Sequence, residues 1–95
     1  MPETGIDQKA KKEFYRALKK LKKDDFEEFF KDLMSSAEIK DLSRRFMAAK
    51  YLNEKKTYQE IREIMGMGEG TINKIRFKTK GSRVLPHLFW HFHTS

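Results

Sequence analysis

The sequence predicts an all-α fold, and three observations carry that expectation. No proline falls between Pro2 and Pro86, so nothing breaks a helix from within across the body of the chain. No stretch sustains the period-two alternation of a half-buried strand. Two capping boxes, Ser35 with Glu38 and Thr57 with Glu60, mark helix starts by placing a carboxylate three residues after a hydroxyl.

Taken in order, residues 1–6 are expected as a flexible tail, with Pro2 and Gly5 as breakers. From Asp7 to Lys23 a helix is predicted whose apolar stripe is Ala10, Phe14, Ala17, Leu18 and Leu21. Lysines crowd its other face, either as a solvated surface or as phosphate contacts. Asp24 or Asp25 starts a second helix carrying Phe26, Phe29, Phe30, Leu33 and Met34, more aromatic bulk than one small monomer buries easily. That density hints at a dimer interface. The box at Ser35 opens a third helix to about Asn53, with Ile39, Leu42, Phe46, Ala49 and Leu52 on its inner face. Glu54-Lys55-Lys56 is a short link.

Thr57 to Lys78 then reads as two short helices around a glycine turn. Ile61, Ile64 and Met65 fall on one face of the first helix, and Gly66 sits where a left-handed residue lets the chain turn without a Cβ clash. In the second helix Ile72 and Ile75 form an inner face, flanked by Thr71, Asn73, Lys74, Arg76 and Lys78. An apolar inside under a donor-rich, cationic outside is what a recognition helix needs in a major groove. Spacing alone leaves open an ordinary helical hairpin. Residues 81–95 form an aromatic C-terminal tail (Val84, Leu85, Leu88, Phe89, Trp90, Phe92), sticky in water and expected to dock on its own body or on a second subunit.

Charge favours the nucleic-acid alternative. The 95 residues have a formal net charge of +7, and 37% of them are charged, which fits a polyanionic partner: nucleic acid, or an anionic membrane surface. Eight Phe, three Tyr and one Trp argue for a packed chain rather than a disordered one. The absence of cysteine removes disulfides, thiolate metal sites and a cysteine nucleophile, in keeping with a reducing cytoplasm. The N-terminus has no apolar core of a secretory signal, and no apolar run approaches the roughly 18 residues of a membrane span, so a soluble cytoplasmic protein is expected. There is no nucleophile–base pair or paired carboxylate at a useful spacing. The glycines from Gly66 to Gly70 lack the preceding strand and the Lys-Ser/Thr of a nucleotide loop, so no enzyme and no cofactor are predicted. His87, His91 and His93 fall near Trp90, but with no carboxylate or cysteine beside them no metal site is expected.

The ordered segments E-F-Y-R-A-L-K-K-L, F-F-K-D-L-M-S-S-A-E-I-K-D-L-S-R-R, A-A-K-Y-L, T-Y-Q-E-I and G-T-I-N-K-I carry a family resemblance. Residues 13–80 resemble the Trp-repressor superfamily, specifically its small Trp-repressor-related branch of the YerC/YecD type. The D-L-x-[ST]-x-x-E-[IL] core of the second segment is specific to it. The resemblance implies a Trp-repressor-like helical domain over residues 7–80, with the helix-turn-helix at 57–79, assembled as an intertwined homodimer. It also implies a transcriptional regulator, usually a repressor, reading successive major-groove faces of a pseudo-palindromic site. The fifth position of the first reader helix, commonly alanine, is Arg62; the Trp repressor also has a basic residue there.

In the Trp repressor two arginines sandwich the tryptophan corepressor. By alignment Arg44 stands at the first position, Lys74 replaces the second, and Ile75 follows where the repressor has glycine. Lysine does not stack on an indole as a planar guanidinium does, and Ile75 should fill the space of the ligand ring. Tryptophan binding is therefore not expected, and Arg44 with Lys74 are weak candidates for another small ligand.

On double-stranded DNA, Thr57, Tyr58 and Gln59, and Gly68, Glu69, Gly70 and Thr71, are expected to bring helix N-termini to phosphates. Gly68 and Gly70 leave room for close backbone approach. Glu69 either accepts from a cytosine amine or faces away. Asn73 is the first candidate for a base edge and Lys74 the second, while Arg76 and Lys78 hold backbone, extended by Lys80 and Arg83. The rival reading is a helical interaction protein, or a nucleoid- or origin-associated dimer, with only non-specific affinity for DNA.

Overall fold

A computed structural model of the chain describes residues 2–94, and side chains through Phe92. Among the described residues there are six α-helices and one short 3-10 turn, and no strand. No helix there is long and apolar enough to cross a membrane. The chain divides into two compact units, Met1–Ser35 and Ser36–Ser95.

The first unit holds α1 (Gly5–Lys20) and α2 (Phe26–Leu33), joined through a 3-10 turn at Lys23–Asp25. Helix α1 starts two residues earlier than expected, because Thr4 and Asp7 form a complete capping box. Thr4 N–H donates to Asp7 Oδ2 at 3.0 Å, and Asp7 N–H to Thr4 Oγ1 at 3.3 Å. An aspartate at the third helical position serves here in place of the usual Glu or Gln, so Gly5 and Ile6 are helical rather than part of a tail. These Thr4 bonds hold the Asp7 carboxyl below the usual carboxylate range. Phe14 stacks on Phe29, centroids 6.2 Å apart, and Phe30 meets Phe29 edge-on at 5.6 Å. Yet neither helix contains a buried residue.

The second unit holds α3 (Ser36–Asn53), α4 (Tyr58–Met65), α5 (Glu69–Thr79) and α6 (Val84–Thr94). Its core is Ala48, Ala49, Ile61, Met67, Ile72, Ile75 and Phe89. The inner face of α3 departs from the expected one. The adjacent alanines are its buried residues, Phe46 and Leu52 are partly buried, and Leu42 is 49% exposed. Small side chains on α3 let neighbouring helices come close, so burial centres on Ala48 and Ala49 rather than on the largest residues. In α4, Ile61 and Met65 turn inward four residues apart, whereas Ile64, expected inside, is 51% exposed. Met67, in the turn, plugs the core instead.

Helix α6 is the segment expected as a tail. Gly81, at φ +79°, turns the chain, and Ser82 Oγ accepts from Leu85 N–H at 3.1 Å. Pro86 lies in the first turn, where its missing N–H breaks no helical bond. Phe89 is buried and packs on Phe46 of α3, centroids 5.4 Å apart, so the segment docks on its own chain. Trp90 and Phe92 remain exposed.

Candidate nucleic-acid interface

Helices α4 and α5 with the turn between them build the site. Thr57 Oγ1 accepts from Glu60 N–H and Glu60 Oε1 accepts from Thr57 N–H, each at 3.1 Å, closing the capping box the sequence announces. The bond from Thr57 N–H, then the Thr57 side chain, with help from the Lys56 charge, hold the Glu60 carboxyl below its ordinary range. The N–H of Thr57, expected free, is thus committed to Glu60.

Gly66 ends α4 at φ +63° and ψ 28°, the left-handed conformation its position predicts, and its N–H bonds Arg62 carbonyl at 2.8 Å. Gly68 precedes α5 in an extended conformation, with no side-chain cap. The first turn of α5 therefore contrasts with that of α4: the N–H groups of Glu69, Gly70 and Thr71 are not consumed by a capping side chain. A Cβ built on Gly68 or Gly70 would meet nothing within 4 Å, so the approach to these amides is open.

Along α5, Ile72 and Ile75 are buried while Glu69, Thr71, Asn73, Lys74, Arg76 and Lys78 are exposed, the division the spacing predicts. Thr79 returns its hydroxyl to the Ile75 carbonyl at 2.8 Å. Asn73 is engaged across the motif, because Tyr58 Oη donates to its Oδ1 at 3.0 Å. Arg76 of α5 and Lys80 just beyond it, with Lys55 and Lys56 of the link, line a groove of about 530 Å³ together with Leu52 and Phe89. Lys55 enters it from a left-handed residue, φ +67°, which turns the chain out of α3. Lys50 and Glu54 pair at 2.6 Å with both side chains largely covered, ordering the end of α3 beside the link.

Three features were not read from the sequence. Phe77, 68% exposed, adds an apolar ring to the polar outer face of α5; its position between Arg76 and Lys78 was the available signal. The Tyr58–Asn73 bond and a bond from Arg44 to α4 had no sequence signal. Arg44, half-buried, donates from Nη2 to the carbonyl of Met65, the last residue of α4. Lys74 is exposed, and Ile75 belongs to the core. The two candidate ligand residues thus differ in role, Arg44 closing a helix and Lys74 facing solvent.

The His87 and His91 Nε2 atoms lie 3.2 Å apart on α6, and the side chain of His93 lies outside the described residues. Among the described residues no three or more His, Cys, Asp or Glu groups gather as a metal site would require.

A buried isoleucine pair beneath a cationic helix face, set by a glycine turn against a capped partner helix, defines the helix-turn-helix DNA-binding class. The family model described as Trp repressor protein matches residues 9–87. The chain belongs to the Trp repressor family, whose members are DNA-binding regulators rather than enzymes. Comparison with curated proteins and with solved structures returns no significant match.

Proposed function

We propose that this chain is a cytoplasmic, sequence-specific transcription regulator, acting as a repressor, that binds DNA as a homodimer and lays α5 in the major groove. The observation that carries the reading is the outer face of α5. Asn73, Lys74, Arg76 and Lys78 stand exposed over buried Ile72 and Ile75, behind a helix start with no capping side chain. Bound cations release condensed counterions from the duplex, giving salt-dependent affinity. Asn73 and Lys74 address base edges; Arg76, Lys78 and the amides of Tyr58, Gln59, Gly70 and Thr71 hold phosphates.

The dimer is supported by the first unit: two amphipathic helices, the second of them rich in phenylalanine, with no buried residue, need a further surface to complete a core. Tryptophan is not the effector in this reading, because Arg44 is engaged with Met65 and Ile75 fills the core where a ligand ring would lie. The exposed Trp90 and Phe92 of α6 favour a second reading, a protein-interaction or nucleoid-associated dimer with only non-specific DNA affinity.

Selection of duplexes from a random pool at near-physiological salt separates the two. A pseudo-palindrome with half-sites about one helical turn apart supports the regulator. A flat pool with salt-steep binding supports the second reading.

A further inference from the structure

The bond between Tyr58 and Asn73 bears on which base this helix addresses. An asparagine amide has an oxygen that accepts up to two hydrogen bonds and one NH2 with two donors. The familiar pairing with adenine uses both: the oxygen accepts from N6–H and the NH2 donates to N7. Here the oxygen receives the Tyr58 hydroxyl at 3.0 Å. Tyr58 is half-buried and its ring packs against the core of the second unit, so the hydroxyl is placed before any duplex arrives. Little entropy is lost in holding it there on binding. The Asn73 amide is exposed, and with its oxygen turned to Tyr58 and one of its two acceptor sites filled, what it offers a base first is the NH2.

We infer that Tyr58 is a positioning residue that sets base preference, biasing Asn73 away from adenine and towards an edge that only accepts, guanine O6 and N7 above all. This rests on the reading of α5 as the recognition helix. It gives Tyr58 a role distinct from a phosphate contact. A phosphate contact weakens every duplex alike when lost, whereas loss of a positioning hydroxyl changes preference at one base pair per half-site.

The test is duplex selection with the full chain, its Tyr58→Phe variant and its Asn73→Ala variant, followed by titration of the chosen duplexes at two salt concentrations. Phenylalanine keeps the packed ring and removes only the hydroxyl, and a melting curve checks that Tyr58→Phe folds. The expected result is guanine preferred by the parent chain at one base pair. Asn73→Ala loses that preference, and Tyr58→Phe shifts it towards adenine by about tenfold, with the salt slope unchanged. The inference is overturned if the parent chain prefers adenine at the base pair Asn73 controls, or if Tyr58→Phe keeps the parental preference there. It is also overturned if Tyr58→Phe weakens all duplexes equally, which makes the Tyr58 hydroxyl itself a phosphate contact. Absence of any sequence preference in the parent chain overturns the recognition-helix reading itself, and this inference with it.

Discussion

Arg44 and Met65, twenty-one positions apart, are joined by a bond from the guanidinium to a helix-ending carbonyl. The last carbonyls of an α-helix have no partner within it, and Arg44 supplies one from the middle of α3. A cation beside the C-terminal end of α4 also suits the helix dipole. The bond ties α3 to the point where the chain turns into α5, so it holds the angle at which the recognition helix is presented. Arg44→Ala should lower stability by about 1.5–3 kcal/mol, the range for a hydrogen bond to a charged group. It should weaken DNA binding on every sequence. Arg44→Lys should recover only part of the loss, because an ammonium lacks the planar fork. Thermal melting and a DNA titration check both.

Tryptophan should leave melting temperature and DNA affinity unchanged. Ile75, 8% exposed, belongs to the core, at the position where the resemblance to the Trp repressor places a glycine. Calorimetric titration with tryptophan, in the presence and absence of DNA, is the measurement; saturable heat at one ligand per chain would contradict the expectation.

Gly70→Ala should separate folding from binding. Gly70 sits in the first turn of α5 with a negative φ and open space around a built Cβ, so alanine fits and raises helix propensity. Stability should rise by roughly 0.5–1 kcal/mol. Affinity for DNA should nevertheless fall, since the added methyl stands where backbone is proposed to approach phosphate. Unchanged affinity in a stabilised variant would show that no close approach occurs there.

The start of α4 should loosen in acid. The Glu60 carboxyl is held below its ordinary range by the Thr57 bonds, so its ionised form favours the folded state. That contribution is complete above the unfolded pKa and is lost as pH falls through the lower folded value. Protection factors at the Thr57 and Glu60 amides, taken from hydrogen exchange by NMR and corrected for the intrinsic rate at each pH, should fall across the acidic carboxylate range. Glu60→Gln keeps an acceptor without a titrating charge and should remove the pH dependence at these two amides.

Phe89→Ala should be among the most damaging single changes. Phe89 is 1% exposed and is the largest fully buried side chain, and its truncation removes the contact with Phe46. The expected loss is about 3–5 kcal/mol. Trp90→Ala, at a neighbouring position that is 66% exposed, should cost clearly less stability than Phe89→Ala. Comparing the two variants at low and high protein concentration tells core packing from association.

Much of the site was legible because its determinants are local. The Thr57–Glu60 box, the left-handed Gly66 and the inward Ile61, Ile72 and Ile75 each follow from residues within a turn or two of one another. The Thr4–Asp7 box is equally local, but its short carboxylate departs from the usual pattern, and the helix start was placed at Asp7. Ile64 and Leu42 were assigned inward on periodicity. Each lies near the edge of an apolar stripe, and which edge is covered depends on the neighbouring helix. Met67 is a turn residue, outside any helical period, and so carried no signal of burial.

From its own order of residues the chain determined where the helices around the turn begin and stop, and which face of α5 is cationic. Those outcomes depend on backbone bonds three or four residues long and on the 3.6-residue period. Only the tertiary structure decided that Arg44 closes α4, that Tyr58 takes the oxygen of Asn73, and that Phe89 seats α6 on α3. Each of these contacts joins residues far apart in the chain, and the positions they bring together are set by how the helices cross around Ala48 and Ala49. No local pattern encodes that crossing; it emerges when the side chains of separate helices compete for one core.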